Sequence, residues 1–354
     1  MSAGKSMKSW FLALLLLLLI LGGSLFVWDT ASPQSTCASC HEIESSSSMW
    51  AHSGHRGLSC NECHGSALSS GFHSLKEKGM MIVHHFTRPD QQRIELDEAQ
   101  MLGVMDNCRR CHGMEYAEWL SGGHSATYQA IFLDKKHNAA ERLNADCLRC
   151  HGMFYRGTTQ DLVFPISVNG PWSFKDPQQA SKPAIPCFTC HMIHRPGDPV
   201  ERPEYADPGK IFYQRPRGSS VALFYDRYEK AYFESDSLPL LHLSAGERAV
   251  KVSADPRQRI CTQCHAPNAF HRAGTSDDRT PRGVHEGISC VACHEGHSND
   301  ARHSCINCHP AISNCGLDVT KMNTSFVDPS SPHDIHVVQC TDCHTKGIPK
   351  KKPA

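Results

Sequence analysis

The sequence predicts a mostly α-helical chain with much irregular structure and one N-terminal membrane-spanning helix. Three observations predict this. A five-residue unit, Cys-x-x-Cys-His, occurs nine times in 354 residues. An apolar run occupies 10–28. Between the units lie short helical spacings interrupted by proline and glycine, and no long alternating pattern of a large sheet.

The repeated unit carries the chemistry. Its members are Cys37, Cys40 and His41; Cys60, Cys63 and His64; Cys108, Cys111 and His112; Cys147, Cys150 and His151; and Cys187, Cys190 and His191. Then follow Cys261, Cys264 and His265; Cys290, Cys293 and His294; Cys305, Cys308 and His309; and Cys340, Cys343 and His344. This is the attachment pattern of c-type haem: two thiols bond one porphyrin edge and the adjoining His ligates the iron. Zinc ribbons and disulfide frameworks use paired Cys without requiring the His. With 24 His in 354 residues, a chance His at one position arises about once in fifteen, so nine in nine is not accidental. The implied cofactor is nine covalent haem c groups, and the fold class becomes a multihaem cytochrome c organised by stacked haems.

Composition agrees. Lys+Arg and Asp+Glu balance at 36 each, which gives no basic excess for nucleic acid. Apolar residues make up 40% and aromatics 8%, so haem packing takes over much of the work of a conventional core. Eighteen of the nineteen Cys sit in motifs, leaving Cys315 as a buried thiol, an intermolecular bridge or a reactive group.

In chain order, 1–31 reads as a cytoplasmic stub and membrane anchor. Lys5 and Lys8 precede the apolar run from Trp10 to Trp28, which is close to the roughly 20 residues a span requires, and the flanking charges predict the N-terminus inside. A cleaved signal peptide is the rival, with a shorter core of about 7–15 residues and an Ala-x-Ala-like site that Trp28-Asp29-Thr30-Ala31 does not offer. Haem attachment outside the cytoplasmic membrane places the rest in the periplasm of an inner-membrane, single-pass protein. Residues 32–197 form a first haem domain with haems one to five, and 260–345 a second with haems six to nine. Residues 198–259 are a haem-free insert, and 346–354 a basic tail.

Within the first haem domain, 74–87 reads as a short amphipathic helix close to the bilayer. Trp119 to Asn138 has helical spacing and carries His124 and His137. Motifs three and four repeat one phrase, each followed by Gly and Met at Met114 and Met153, which read as packing residues. Prolines 183, 186, 196 and 199 around motif five predict extended connections. In the insert, 221–233 reads as a strand or hairpin that covers the haems, docks a partner or builds a pocket. His285 precedes Cys290 by five residues, as His55 precedes Cys60. That recurring phrase is similar to those in the cytochrome c nitrite reductase and hydroxylamine oxidoreductase group.

Nine motif His leave fifteen of the 24, enough to give every iron a second His. Such closure suits electron transfer and lowers the potential relative to Met. His55, His124, His285 and His336 are the favoured second ligands. His194, three residues after His191, has to serve another haem.

One anchor, then Cys37-Ala-Ser-Cys40-His41-Glu42, Trp50-x-x-Ser53-x-His55, the second motif, a Lys-rich segment and His84-His85-Phe86-Thr87 resemble the membrane-anchored tetrahaem quinol dehydrogenases. That family includes the small subunit of cytochrome c nitrite reductase. The resemblance covers 8 to 112 and extends to 151. It implies quinol oxidation at the membrane surface near the first haem, with Lys76 or Lys78 near the quinol. Where relatives carry a ligating Met two residues after the motif His, this chain has Ile43, which cannot coordinate; Met49 is a more distant candidate. The reading is therefore electron transfer from membrane quinol, or a quinol-oxidising partner, along the haems to a redox protein acceptor in the periplasm or outer membrane, with no catalytic residue of its own. The alternative is a terminal reductase of a small nitrogen or sulfur compound at one open haem.

Overall fold

In a computed structural model, residues 3–30, 33–66, 72–88, 94–135, 143–166, 171–197, 222–239, 242–265, 279–294, 296–297, 335–343 and 346 are described, with side chains except at 3–7, 25, 28–30, 33, 36, 72–77, 342 and 343. Motif eight, His344, His137, Cys315, 198–221 and the tail beyond 346 lie outside the described residues, as does the side chain of Lys76. The chain is mostly helical with much irregular structure, and it divides into two compact units.

The first unit comprises 1–111 and 193–199. Its first helix, α1 (Ala3–Thr30), contains the apolar run and exposes Trp10, Phe11, Leu12 and the leucines that follow. Among the described residues no helix is long and apolar enough to cross a membrane. Then come α2 (Pro33–Ala38), α3 (His41–Ala51) and α4 (Cys60–His64). Glu42 and Glu44 lie in the first turn of α3, where carboxylates oppose the helix dipole. The turn after α3 is stitched by Trp50 Nε1 donating to the His55 carbonyl at 3.0 Å and Ser53 Oγ donating to the Trp50 carbonyl at 2.8 Å. Gly197 N donates to the His52 carbonyl at 2.8 Å, which returns 193–197 to this turn.

The expected amphipathic segment is α5 (Phe72–Thr87). Next, α6 (Glu98–Cys108) opens on a reciprocal capping box. Gln100 N donates to Asp97 Oδ1, and Asp97 N donates to Gln100 Oε1, both at 2.8 Å. Asn107 Nδ2 donates to the Cys63 carbonyl at 2.7 Å, fixing α6 against α4.

The second unit comprises 112–192 and 200–354. The helical spacing from Trp119 to Asn138 does not form one helix. Gly122 and Gly123 end α7 (Gly113–Ser121), a 3-10 turn at Gly123–Ser125 carries His124, and α8 (Tyr128–Phe132) restarts from the Thr127 cap. Two adjacent glycines raise the entropic cost of continuing a helix enough to break it. Tyr128, Phe132, Leu148, Leu162, Val163 and Ala184 form the main buried cluster. Leu148 belongs to α9 (Cys147–Cys150) and Leu162 to α10 (Thr159–Leu162), so motif four is built into the core itself. Two short strands, β1 (Val163–Phe164) and β2 (Ser173–Phe174), pair antiparallel, followed by α11 (Pro177–Ala180).

The expected hairpin exists. Strands β3 (Leu223–Asp226) and β4 (Ala231–Glu234) pair antiparallel with Leu223 opposite Glu234 and Asp226 opposite Ala231. A second hairpin joins β5 (Ser244–Ala245) to β6 (Arg248–Ala249) before α12 (Arg257–His265). The last described helix is α13 (Cys340–Cys343).

Gly283 places 335–338 beside motif seven. It has φ 68, and a Cβ there would lie 2.0 Å from the Val338 carbonyl oxygen, so no other residue fits. Arg282 N and Val284 N donate to the His336 and Val338 carbonyls at 2.6 and 2.9 Å.

Candidate haem sites

Motifs four, five and seven are each wound into one tight turn. His151 N, His191 N and His294 N donate to the carbonyls of Cys147, Cys187 and Cys290 at 3.0, 2.9 and 2.9 Å. Residues three apart share a helix face, so the turn aims both thiols the same way while the following His sits one turn from the first. This is the donor set that covalent haem requires.

The turns also approach one another. Within the second unit, Cys264 lies against Cys150 and Cys261 against Cys290, while Cys190 lies close to both Cys261 and Cys264. Within the first, Cys37 lies close to Cys60 and Cys63 to Cys111.

The imidazoles supply a second test of fit. His64 faces His194 with ring centroids 6.1 Å apart, and His265 faces His124 at 6.2 Å. His191 faces His297 at 5.9 Å, and His294 faces His336 at 6.0 Å. In every pair one ring belongs to a motif and the other does not. Two metal–nitrogen bonds of about 2.0–2.1 Å plus about 1.1 Å from each nitrogen to its ring centre sum to about 6.3 Å. The four spacings match what one iron between two imidazoles needs. The planes are inclined by 40° and 39° in the first two pairs but by 21° and 4° in the others. Desolvation, with repulsion from the facing His second, brings His64, His191 and His294 down to about 4. They are therefore neutral at pH 7, the form with a lone pair for metal.

Of the favoured second ligands, His124 and His336 stand opposite motif imidazoles. His55 and His285 instead lie on the turns before motifs two and seven, where Leu58 N and Ile288 N close the same bond to the His carbonyl at 2.9 and 3.0 Å. His285 Nδ1 lies 3.4 Å from the Ile335 carbonyl. His194 and His297 were not favoured, yet both face motif rings. His194 meets the ring of motif two and not that of its own neighbour. Its place follows from the Gly197–His52 contact, a long-range pairing that spacing does not encode.

Motif three presents an exposed His112 within 4.0 Å of Glu115. His151 of motif four meets Phe132 edge-on at 6.5 Å. Met153 is buried with Phe224 and Leu238, whereas Met114 is exposed; neither stands in one of the facing pairs.

The hairpin of the insert braces two motifs. Leu223 N donates to the Cys190 carbonyl at 2.7 Å and Tyr232 Oη to the Phe188 carbonyl at 2.8 Å, holding motif five. Arg227 donates to the carbonyls of Gly152 and Gly157 at 2.6 Å each, and to that of Tyr155, beyond motif four. The Arg149 guanidinium lies 4.8 Å over the Tyr228 ring, within cation–π range. On α5, desolvation pulls the half-buried Lys78 ammonium below the ordinary lysine value.

Two family models match. Residues 30–198 match one described as the outer membrane cytochrome MtrC/MtrF-like domains II/IV. Residues 227–295 match one described as cytochrome c554 and c-prime. No curated protein and no solved structure matches. Both family descriptions are of cytochromes, and the second match begins within the chain's longest stretch without a motif, 192–260.

Proposed function

We propose that this multihaem c-type cytochrome, which holds haem c covalently, carries electrons from the quinol pool or a membrane partner to a periplasmic or outer-membrane redox protein. The observation that carries the reading is the set of four imidazole pairs at 5.9–6.2 Å. An iron held on both sides by His has no position for substrate, so the set favours electron transfer over bond-making chemistry. Haem c, when bound, supplies a reversible one-electron iron couple.

The chain's own residues do the rest. The motif cysteines would hold the haem groups in place, and at the four facing pairs the motif His and its partner would close both sides of the iron and favour a low potential. Cysteine turns packed against one another, as at Cys150–Cys264 and Cys261–Cys290, bring attachment edges together and shorten the distance an electron has to cross. The β3–β4 hairpin keeps motifs four and five from moving apart.

The membrane part of the proposal rests on the sequence of 10–28: in helical form its nineteen residues would cover about 28 Å at 1.5 Å per residue, near the roughly 30 Å hydrocarbon core, although among the described residues no helix has the length and apolarity of a span. Single-pass anchorage in the inner membrane, with the haem-bearing part in the periplasm, is supported by this run and its preceding lysines. The family description of an outer membrane cytochrome supports an extracytoplasmic setting and redox-protein partners.

The test is full-length protein in liposomes mixed anaerobically with a reduced quinol analogue, followed by visible spectroscopy. Reduction of the haem bands, then reoxidation by a small soluble cytochrome, is expected. Haem that stays oxidised with quinol but turns over nitrite or hydroxylamine from another donor would overturn the proposal in favour of a reductase.

A further inference from the structure

Two carboxylates beside haem motifs are almost wholly removed from water. At motif one, Glu42 is 4% exposed, and its Oε1 lies 2.8 Å from His85 Nδ1 and 3.3 Å from His41 Nε2. Those two rings are 5.4 Å apart, short of the span one iron needs, and with the carboxylate between them no iron fits there. Asp255, also 4% exposed, stands instead beside the attachment turns of motifs six and seven.

The sequence runs through Ser253, Asp255, Pro256 and Arg257 into α12, the helix that carries Cys261, Cys264 and His265. Asp255 N donates to Ser253 Oγ at 3.1 Å, and Asp255 Oδ1 accepts from Arg257 N at 3.0 Å, so the carboxylate satisfies the first amide of α12. The Arg257 side chain folds back onto it. Its Nε donates to Oδ1 and Oδ2 at 2.9 and 3.1 Å, and its Nη2 to Oδ2 at 2.6 Å. From 34 residues further on, the hydroxyl of Ser289, itself 1% exposed, donates to the same Oδ2 at 2.8 Å. Ser289 directly precedes Cys290 and stands at the N-cap of the Cys290–Ala292 turn, yet its side chain makes no capping bond there. One carboxylate thus ties the start of motif six to the start of motif seven.

We infer that Asp255 is the positioning residue of the junction between motifs six and seven: through Ser289 it fixes the two attachment turns against each other, and through Arg257 it balances the charge beside both haems. The inference rests on the electron-transfer reading above and deepens it at the Cys261–Cys290 contact.

Three physical points support it. First, taking a carboxylate and a guanidinium out of water costs more than burying apolar side chains of similar size, so such a pair is a poor stabiliser and is better explained by a need for fixed geometry and fixed charge. The Asp255 and Arg257 side chains are only 1% and 11% exposed. Second, Asp255 is close enough to act on both Cys261 and Cys290, and Arg257 acts on Cys261 with the opposite sign. Cys261 Sγ is itself 3.8 Å from the Arg257 carbonyl. Third, charges in a low-dielectric interior act more strongly than in water. A lone carboxylate here would favour the ferric state of the haems at motifs six and seven, and a lone guanidinium the ferrous state; joined, they largely cancel. The His265–His124 and His294–His336 pairs belong to these same two motifs, so the clamp joins two haems whose ligand axes are already set.

The experiment uses the full-length holoprotein in detergent, titrated with small redox mediators and followed by visible spectra and low-temperature EPR. Asp255→Asn leaves the Arg257 cation unbalanced and is expected to raise the midpoint potentials of two haems. Arg257→Gln leaves the carboxylate unbalanced and is expected to lower them, and combining the two substitutions to bring both back toward wild type. Ser289→Ala keeps the ion pair but frees the turn of motif seven; it is expected to weaken the spin–spin broadening between two low-spin haems, with Ser289→Thr restoring it. Shifts of the same sign in Asp255→Asn and Arg257→Gln, or no shift in either, overturn the charge-balancing role, because loosened packing does not follow the sign of the charge. Unchanged spin coupling in Ser289→Ala overturns the positioning role. That variant removes one hydrogen bond and no charge, so it decides the matter where the charge variants fail to fold. Mediators supply the electrons, so a failure of quinol to reduce the haems would refute the electron source proposed above and leave these expectations intact. Wild-type protein without covalent haem at motifs six and seven would overturn both.

Discussion

Replacing Leu148 by Ala probes the claim that motif four is part of the core. Leu148 is one of the two residues between Cys147 and Cys150, and it is 0% exposed. It packs in a cluster with Tyr128, Phe132 and Leu162, all at most 1% exposed. A Cβ added to Gly152 would lie 2.7 Å from Leu148 Cδ2, so the leucine fills its space to the backbone of the next turn. Tyr128 and Phe132 are stacked at 6.0 Å and cannot slide easily into a void. Leu→Ala in cores costs about 2–5 kcal/mol, and a rigid wall places this site in the upper part, about 3–5 kcal/mol. Urea unfolding followed by far-ultraviolet circular dichroism would show a midpoint lowered by more than about 1 M. Soret-region dichroism would change as well, because the same helical turn carries Cys147 and Cys150. A loss below about 1 kcal/mol would refute the reasoning, since it would mean the site collapses or was never tightly filled.

Other consequences can be checked separately. Trp119→Phe removes the 3.1 Å bond from Nε1 to the Ile185 carbonyl and is expected to cost about 1 kcal/mol in the same unfolding assay. His297→Gly is expected to give a high-spin ferric signal that imidazole reverses, because that ring faces His191 at 5.9 Å. Arg248 grips Glu286 through two bonds of 2.6 and 2.7 Å and, with Lys251 N, holds its carboxyl down at about 2. A depressed carboxylate stabilises the fold above its ordinary value of 4.5 and loses that contribution as pH falls toward 2, so the melting-temperature gap between wild type and Glu286→Gln is expected to be full at pH 7 and to shrink below pH 4.5. Arg227→Ala leaves the Gly152, Tyr155 and Gly157 carbonyls without their donor and is expected to broaden the resonances of the haem at motif four in paramagnetic NMR.

Much of this was readable from sequence because it is local. Cys-x-x-Cys-His fixes a single helical turn by its own hydrogen bonds, and the aromatic and aliphatic residues flanking the polar Asp226–Lys230 segment specify a hairpin. The helix expected from Trp119 to Asn138 failed at Gly122-Gly123, where backbone entropy outweighed an apolar spacing that in fact serves two short helices. The imidazole pairs were only half legible. His124 and His336 stood out, yet their partners, like the roles of His194 and His297, depend on contacts between distant segments. The Gly283 approach to Val338 and the Gly197 bond to His52 create those contacts. Glu42 beside His85 was invisible for the same reason, since 43 residues separate them and only the packing of α5 against α3 brings them together.

Low-temperature EPR on the fully oxidised full-length protein tests the central claim most directly. The account predicts low-spin ferric signals that integrate to the covalent haem content of the same sample and do not change with nitrite or hydroxylamine. A substantial high-spin signal that shifts when either compound is added would contradict it and reveal an iron open to substrate.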